Sequence, residues 1–226
     1  MSKASGNKKL LVFGSILGFI VLMLAVLASG THEFKTLPIL GPKELILKDG
    51  VADTLYHTIP DFAFTDHRGT RYTSDSIEGK ILVVDYFFTR CGTICPKMSR
   101  EMKRLDWMLD DPKFDDVIFL SHTVDPAYDN PEILADYRKE YEASERWVFL
   151  TGDKQSLYEM GVKGYLISAQ EDALAPGGFL HSEKFVLIDP KRRIRGYYDG
   201  TDGDDVRRLE EEIKLLMKEI KDERRG

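Results

Sequence analysis

The order of apolar and polar positions divides the chain into blocks, and the period within each block predicts an element. Residues 10–28 form an apolar run without a charged side chain. As a helix, a run of that length just crosses a ~30 Å hydrocarbon core. The pattern then fades. Residues 31 to about 56 carry Pro38, Gly41, Pro42 and Gly50 with one short apolar patch, Leu45, Ile46 and Leu47, and they read as a spacer. A hairpin is predicted next: Asp61, Phe62, Ala63, Phe64 and Thr65 alternate, residues 66–69 supply turn chemistry, and residues 70–73 return.

Residues 81–88 are apolar except for Asp85, the pattern of a central strand buried on both faces. Met98, Met102, Leu105 and Leu109 then lie on one helical stripe. A second buried strand is predicted at 117–120, extending to 124. Asn130 is a natural N-cap and Pro131 a natural first residue for a helix carrying Ile133, Leu134, Tyr137 and Tyr141. Residues 147–150 read as a strand and 155–160 as helical, followed by an irregular stretch ending in Pro176, Gly177 and Gly178. Two strands, 185–188 and 194–198, precede a last helix. Its buried stripe is Val206, Leu209, Ile213, Leu216 and Ile220, with Asp204 and Asp205 at the positive end of its dipole. No internal repeat is present. Strands alternating with helices, then two adjacent strands and a helix, give an α/β layer fold.

Composition adds little to this picture. The chain has 226 residues, 42% hydrophobic and 31% charged, which is ordinary for one folded domain behind a short anchor. The net charge is -6, and no basic block with interleaved aromatics occurs, which argues against nucleic acid as a partner. Lys3, Lys8 and Lys9 precede the apolar run, and the stub before it has no acidic residue. The positive-inside rule then keeps residues 1–9 in the cytoplasm and sends the chain from Thr31 onward to the outer side. A cleaved signal peptide is the alternative, with a site near Ala28, but its hydrophobic core is usually shorter. Either reading places the folded domain outside the cytoplasm, the periplasmic side in a bacterium.

The chain contains two cysteines, Cys91 and Cys95. A bridge between them closes almost no loop and adds little stability, so the pair reads as chemical. It lies between the first long strand and its helix, the thioredoxin arrangement. Pro96 is tolerated only in the first helical turn, so the helix is predicted to begin there, with Cys95 as its cap and Cys91 in the preceding loop. Both sulfurs then sit near the positive end of the helix dipole, which favours the thiolate. Three residues separate the cysteines, one more than in a thioredoxin-type redox site. Such a loop can still close a disulfide, or let both sulfurs converge on one ion beside a third ligand. Two soft thiolates select copper(I), zinc or iron–sulfur chemistry. Among His32, His57, His67, His122 and His181, the last is the candidate third ligand, because in a thioredoxin fold the loop before its strand faces the cysteine turn. His122 is read as a strand histidine exposed or hydrogen-bonded within a layer, and Met98 and Met102 as core.

These residues resemble the Sco/SenC family of copper chaperones for cytochrome c oxidase. The resemblance runs from about Ile59 to Gly200. It rests on Pro60-Asp61-Phe62, Gly79-Lys80, the Cys-x-x-x-Cys-Pro signature at 91–96, and Val124-Asp125-Pro126 with Asp129 and Pro131 beyond. Phe149-Leu150-Thr151-Gly152, His181-Ser182 and residues 185–190 complete it. It implies a thioredoxin-like central sheet flanked by helices, behind one transmembrane helix. The implied layout is a cytoplasmic stub 1–9, an anchor 10–28, a linker 29–56 and a copper-binding domain 57–226. It implies copper, as Cu(I) or Cu(II), held by Cys91, Cys95 and His181, with Asp125 behind the ligands or facing a partner. It also implies a copper-receiving oxidase subunit and a reductant that keeps the cysteines reduced. Many relatives have proline after the first cysteine, where this chain has Gly92.

Three functions compete on this reading. The first is a metallochaperone with no turnover of its own. The second is a membrane-anchored thiol-disulfide oxidoreductase acting on partner cysteines through the Cys91–Cys95 pair. A peroxidase of the peroxiredoxin class is disfavoured, because residues 85–89 contain no proline before the cysteine.

Overall fold

The computed structural model describes residues 13–23, 36–48, 50–171 and 179–225. Met1–Lys35 and Thr36–Gly226 are separate compact units. In the first, residues 13–23 form a helix, α1, whose apolar side chains are exposed: Phe13 is 72% and Phe19 66% accessible. Among the described residues no helix is long and apolar enough to cross a membrane. The remainder of the apolar run 10–28 lies outside the described residues.

The second unit is built on a seven-stranded mixed sheet. Its strands are β3 (Ala63–Asp66), β4 (Arg71–Thr73), β5 (Ile81–Phe87), β6 (Val117–Thr123), β7 (Trp147–Thr151), β10 (Lys184–Ile188) and β11 (Ile194–Asp199), in spatial order β11-β10-β5-β6-β7-β3-β4. The parallel trio β5, β6 and β7 lies at the centre, with Val84 opposite Leu120 and Leu120 opposite Val148. Every residue of β5 is buried, as the unbroken apolar run predicts. The predicted hairpin forms as β3 and β4, and its turn is tied by Asp66, whose carboxylate accepts from the Arg68 and Thr70 amides at 2.9 and 2.8 Å.

Helices cover the sheet: α2 (Cys95–Met108), α3 (Pro131–Glu140), α4 (Lys154–Glu159), which runs on into a π-helical turn at Met160–Gly164, and α5 (Gly203–Glu223). The stripe of α2 is Met98, Met102, Leu105 and Leu109, all fully buried. Asn130 caps α3 by accepting from the Ile133 amide at 3.0 Å, with Pro131 first in the helix, as predicted. In α5, Val206, Leu209, Ile213 and Leu216 are buried and Ile220 packs at the margin. The cap of α5 is Asp202, two residues before the acidic pair read from the sequence.

The spacer expected up to residue 56 is shorter in the structure. The folded unit begins at Thr36. Leu37 is buried, Leu40 bridges to Ile194 of β11, and Arg195, 2% exposed, donates to the Leu37 and Pro38 carbonyls at 2.6 and 3.0 Å. Arg195 also pairs with Asp189 at 3.1 Å and Glu219 at 2.7 Å, so the entering strand, β11 and α5 share one buried ion network. The expected linker also contains a hairpin, β1 (Lys43–Lys48) and β2 (Val51–Tyr56). It has no face in the core, which is why its apolar residues give no clear period. A second short hairpin, β8 (Ala169–Glu171) with β9 (Phe179–His181), occupies the stretch read as irregular.

Candidate metal and dithiol site

The centre of the sheet delivers the cysteines. β5 and β6 run parallel, so the loops after Phe87 and Thr123 leave the same edge. The first carries Cys91 and the second carries Asp125 and Asp129. Asp129 is fully buried and stitches the two loops together. It accepts from the Thr89 amide at 3.2 Å and from the hydroxyls of Thr89 and Thr123. Burial raises its pKa against the pull of those bonds.

The helix starts one residue earlier than predicted. Ile94 is the cap, its carbonyl accepting from the Lys97 and Met98 amides at 2.9 and 3.0 Å, and Cys95 is the first helical residue. Pro96 is the second. Proline fits either position, because the amides of the first turn have no intrahelical acceptor. Cys95 is wholly buried and Cys91 is 6% exposed, and both are free thiols. The Cys95 amide points at the Cys91 sulfur across 3.4 Å, and Thr93 Oγ1 lies 3.7 Å from it.

This arrangement polarises the pair. Cys91 is driven down to about 4 from an ordinary 9.0, chiefly because the Cys95 thiol donates to it, with help from the Cys95 and Thr93 amides against the opposing effect of burial. Cys95 is driven upward by the same shared proton, by burial, and by the charge of Asp85. The two sulfurs are thus pushed apart, Cys91 toward the thiolate and Cys95 toward the thiol. Asp85 is buried in β5, where it accepts from Ser121 Oγ at 2.5 Å, and Trp147 Nε1 donates to that hydroxyl at 2.8 Å. Burial raises Asp85 to about 7, with the Ser121 bond pulling the other way. In the sequence Asp85 was only a break in an apolar strand. A carboxyl in a strand buried on both faces was the signal that could have drawn notice.

Asp125 is set back from the surface of its loop. It is 5% exposed, its amide donates to Thr123 Oγ1 at 2.9 Å, and its carboxylate accepts from Arg90. Arg90 lies 4.2 Å above the Tyr128 ring, so Arg90 and Tyr128 are the accessible groups on this rim. Neither was singled out from the sequence.

The backbone of His181 ends β9 opposite Ala169, and the next residue is tied back by Ser182 N to Ser168 O at 3.0 Å. Its side chain lies outside what the structure describes. Among the described residues no group of three or more His, Cys, Asp and Glu side chains converges. Of the other histidines, His32 lies outside the described residues. His57 Nε2 lies 2.8 Å from the Gly164 carbonyl, and His67 Nδ1 accepts from the Phe149 amide at 3.4 Å. His122 takes the second of its two expected forms. It is fully buried, stacked on Tyr86 with centroids 5.2 Å apart, with Nε2 2.9 Å from the Tyr165 hydroxyl, and burial lowers it to about 3. Met98 and Met102 are core, as read.

A parallel-centred sheet with a buried, electrostatically split dithiol at the strand-to-helix junction defines a thioredoxin-like thiol protein. The SCO1/SenC family pattern matches residues 52–218, and the chain belongs to that family. It is 30% identical over 157 residues to the SCO1 protein homolog of Bacillus subtilis (strain 168), covering 67% of this chain and 79% of that one. Among solved structures it resembles BsSco, described as a member of the Sco family of cytochrome c oxidase assembly proteins with a disulfide switch. That match has a TM-score of 0.63 and 26% identity, over 72% of this chain and 94% of that one. It also shares the fold of yeast Sco1, solved with copper bound, at a TM-score of 0.56 and 24% identity over 70% of this chain and 89% of that one.

Proposed function

We propose that this protein is a copper chaperone. It binds one copper ion as cargo through Cys91, Cys95 and His181 and delivers it to the binuclear copper centre of cytochrome c oxidase during assembly. The observation that carries this reading is the pair of buried free thiols in the turn between β5 and α2, with the Cys95 amide 3.4 Å from the Cys91 sulfur. A preformed thiolate at Cys91 gives a soft metal its first donor without proton release, and loading then displaces the Cys95 proton. Two sulfurs and one imidazole suit both oxidation states of copper. Membership of the family and the copper carried on the same fold in yeast Sco1 support the choice of metal. Residues 10–28 act as an uncleaved anchor that holds the domain outside the cytoplasm, a reading supported by the uncharged apolar run and by the exposed apolar surface of α1.

The same thiol pair favours a second reading, a thiol-disulfide oxidoreductase. Cys91 thiolate attacks a partner disulfide and expels one partner thiolate. Cys95 then gives up its proton and attacks the mixed disulfide, leaving a Cys91–Cys95 bridge and a reduced partner. In an oxidising compartment the bridge cannot bind copper, so a thiol reductant must precede loading. His181 separates the two readings, because the imidazole serves the metal and not the thiol attack. His181→Ala is expected to weaken copper binding strongly and abolish delivery while the cysteines still cycle between dithiol and disulfide. Retained copper affinity and transfer with loss of reductase activity would put the oxidoreductase in place of the chaperone.

A further inference from the structure

The β1–β2 hairpin carries four of the most exposed large apolar side chains of the folded unit: Leu45 at 86%, Leu47 at 80%, Val51 at 69% and Leu55 at 55%. Its register sorts its residues into two faces, since directly paired residues and residues two apart share a face. Lys43 pairs with Tyr56, Leu45 with Thr54 and Leu47 with Ala52, so these six form one face. Glu44 with Leu55, Ile46 with Asp53 and Lys48 with Val51 form the other. The two faces differ in charge. The first has two accessible leucines, an alanine, a threonine, a tyrosine and a lysine, and no acid. Both acidic side chains of the two strands, Glu44 and Asp53, lie on the second.

We propose that the first face, Lys43, Leu45, Leu47, Ala52, Thr54 and Tyr56, docks on the lipid surface of the membrane that holds the protein. Its chemistry is that of an interfacial segment: leucines reach the acyl boundary, while tyrosine and lysine sit at headgroup level. Among the described residues the hairpin is a two-stranded sheet with no third strand, so its edges suit the hydrated interface and not the hydrocarbon. The chain length fits as well. Seven residues, 29–35, separate the apolar run from the folded unit that carries the hairpin, and fully extended they span at most ~25 Å. A tether of that length keeps the folded unit within reach of the bilayer. This step rests on residues 10–28 being an anchor. The docking face carries a single charged side chain, Lys43, so the contact depends on apolar insertion rather than on anionic lipid.

The test uses the full chain in phosphatidylcholine vesicles containing brominated acyl chains, which quench nearby tryptophan. Trp107 is first changed to phenylalanine, leaving Trp147, which is 1% exposed, as a constant background. Leu47→Trp then reports on the hairpin and Phe19→Trp on the apolar run, in separate proteins. Position 47 is largely exposed, so the substitution leaves the core intact. The expected result is quenching of the position 47 reporter, stronger with bromines near the headgroup than with bromines near the bilayer centre. Quenching at position 19 with none at position 47 overturns the docking proposal while leaving the anchor. Absence of quenching at both positions overturns the anchor and the docking together. Quenching at position 47 alone supports the lipid contact and rejects the anchor.

Discussion

Asp85→Asn is expected to make the protein more stable at neutral and alkaline pH and to leave it nearly unchanged at pH 4. Asp85 is 1% exposed, and its carboxyl accepts from the Ser121 hydroxyl. Its carboxyl titrates near 7 in the fold, against 3.8 for an ordinary aspartate, because burial penalises the charged form. Between those values the folded chain keeps a proton that the unfolded chain has released. Stability therefore falls as the pH rises through that window, by up to about 1.4 kcal/mol for each pH unit. Over a window of roughly three units the loss approaches ~4 kcal/mol, complete above pH 7. Asparagine keeps an oxygen for the Ser121 hydroxyl and carries no charge, so it avoids this loss. The assay is urea unfolding of the reduced, detergent-solubilised chain at pH 4, 5.5, 7 and 8, followed by the emission of buried Trp147. Titrating groups that do not interact with Asp85 are common to both proteins and cancel in the difference. The gain should be within ~1 kcal/mol at pH 4 and grow to a few kcal/mol at pH 8. A gain equal at both pH values, or a loss at pH 8, would mean that the charge on Asp85 does not oppose folding.

Two further outcomes are expected. Thiolate absorbance near 240 nm in the reduced chain should rise with a midpoint about 4, the value set for Cys91, and Cys95→Ala should move that midpoint upward by removing the donor; a wild-type midpoint near 9 would contradict the polarised pair. Arg195→Met should lower stability by ~3–5 kcal/mol in the same unfolding assay, because it leaves Asp189 and Glu219 without their buried cation and frees the Leu37 and Pro38 carbonyls.

The parts of the fold legible in the sequence are those where one physical requirement dominates. β5 and β6 are buried on both faces, so their apolar runs can hardly be read otherwise, and α2 and α5 each have one clean buried stripe. Elements with mixed requirements were not legible. Leu37 is a lone buried residue beside a proline and generates no period. Arg195 looks like a surface residue until the ion network and the entering strand are seen to enclose it. The β1–β2 hairpin holds itself together through its own ladder, so its side chains follow no burial pattern. At the site, Cys91, Cys95 and Asp125 were visible through spacing and resemblance. The polarisation of the two thiols was not, because it depends on the Cys95 proton, two loop amides and a buried carboxyl ten residues away in sequence. The link from Asp129 to Thr89 and Thr123, and the Arg90–Asp125 pair, join loops from neighbouring parallel strands and leave no trace in local pattern.

The proposed copper site is formed by Cys91 and Cys95 with His181. Copper titration of the reduced full chain, combined with X-ray absorption at the copper edge, tests it most directly. Such a site gives one copper per chain with two sulfur neighbours and one nitrogen, loss of tight binding in Cys91→Ser/Cys95→Ser, and loss of the nitrogen in His181→Ala. One-to-one binding at full affinity in the Cys91→Ser/Cys95→Ser protein would contradict it.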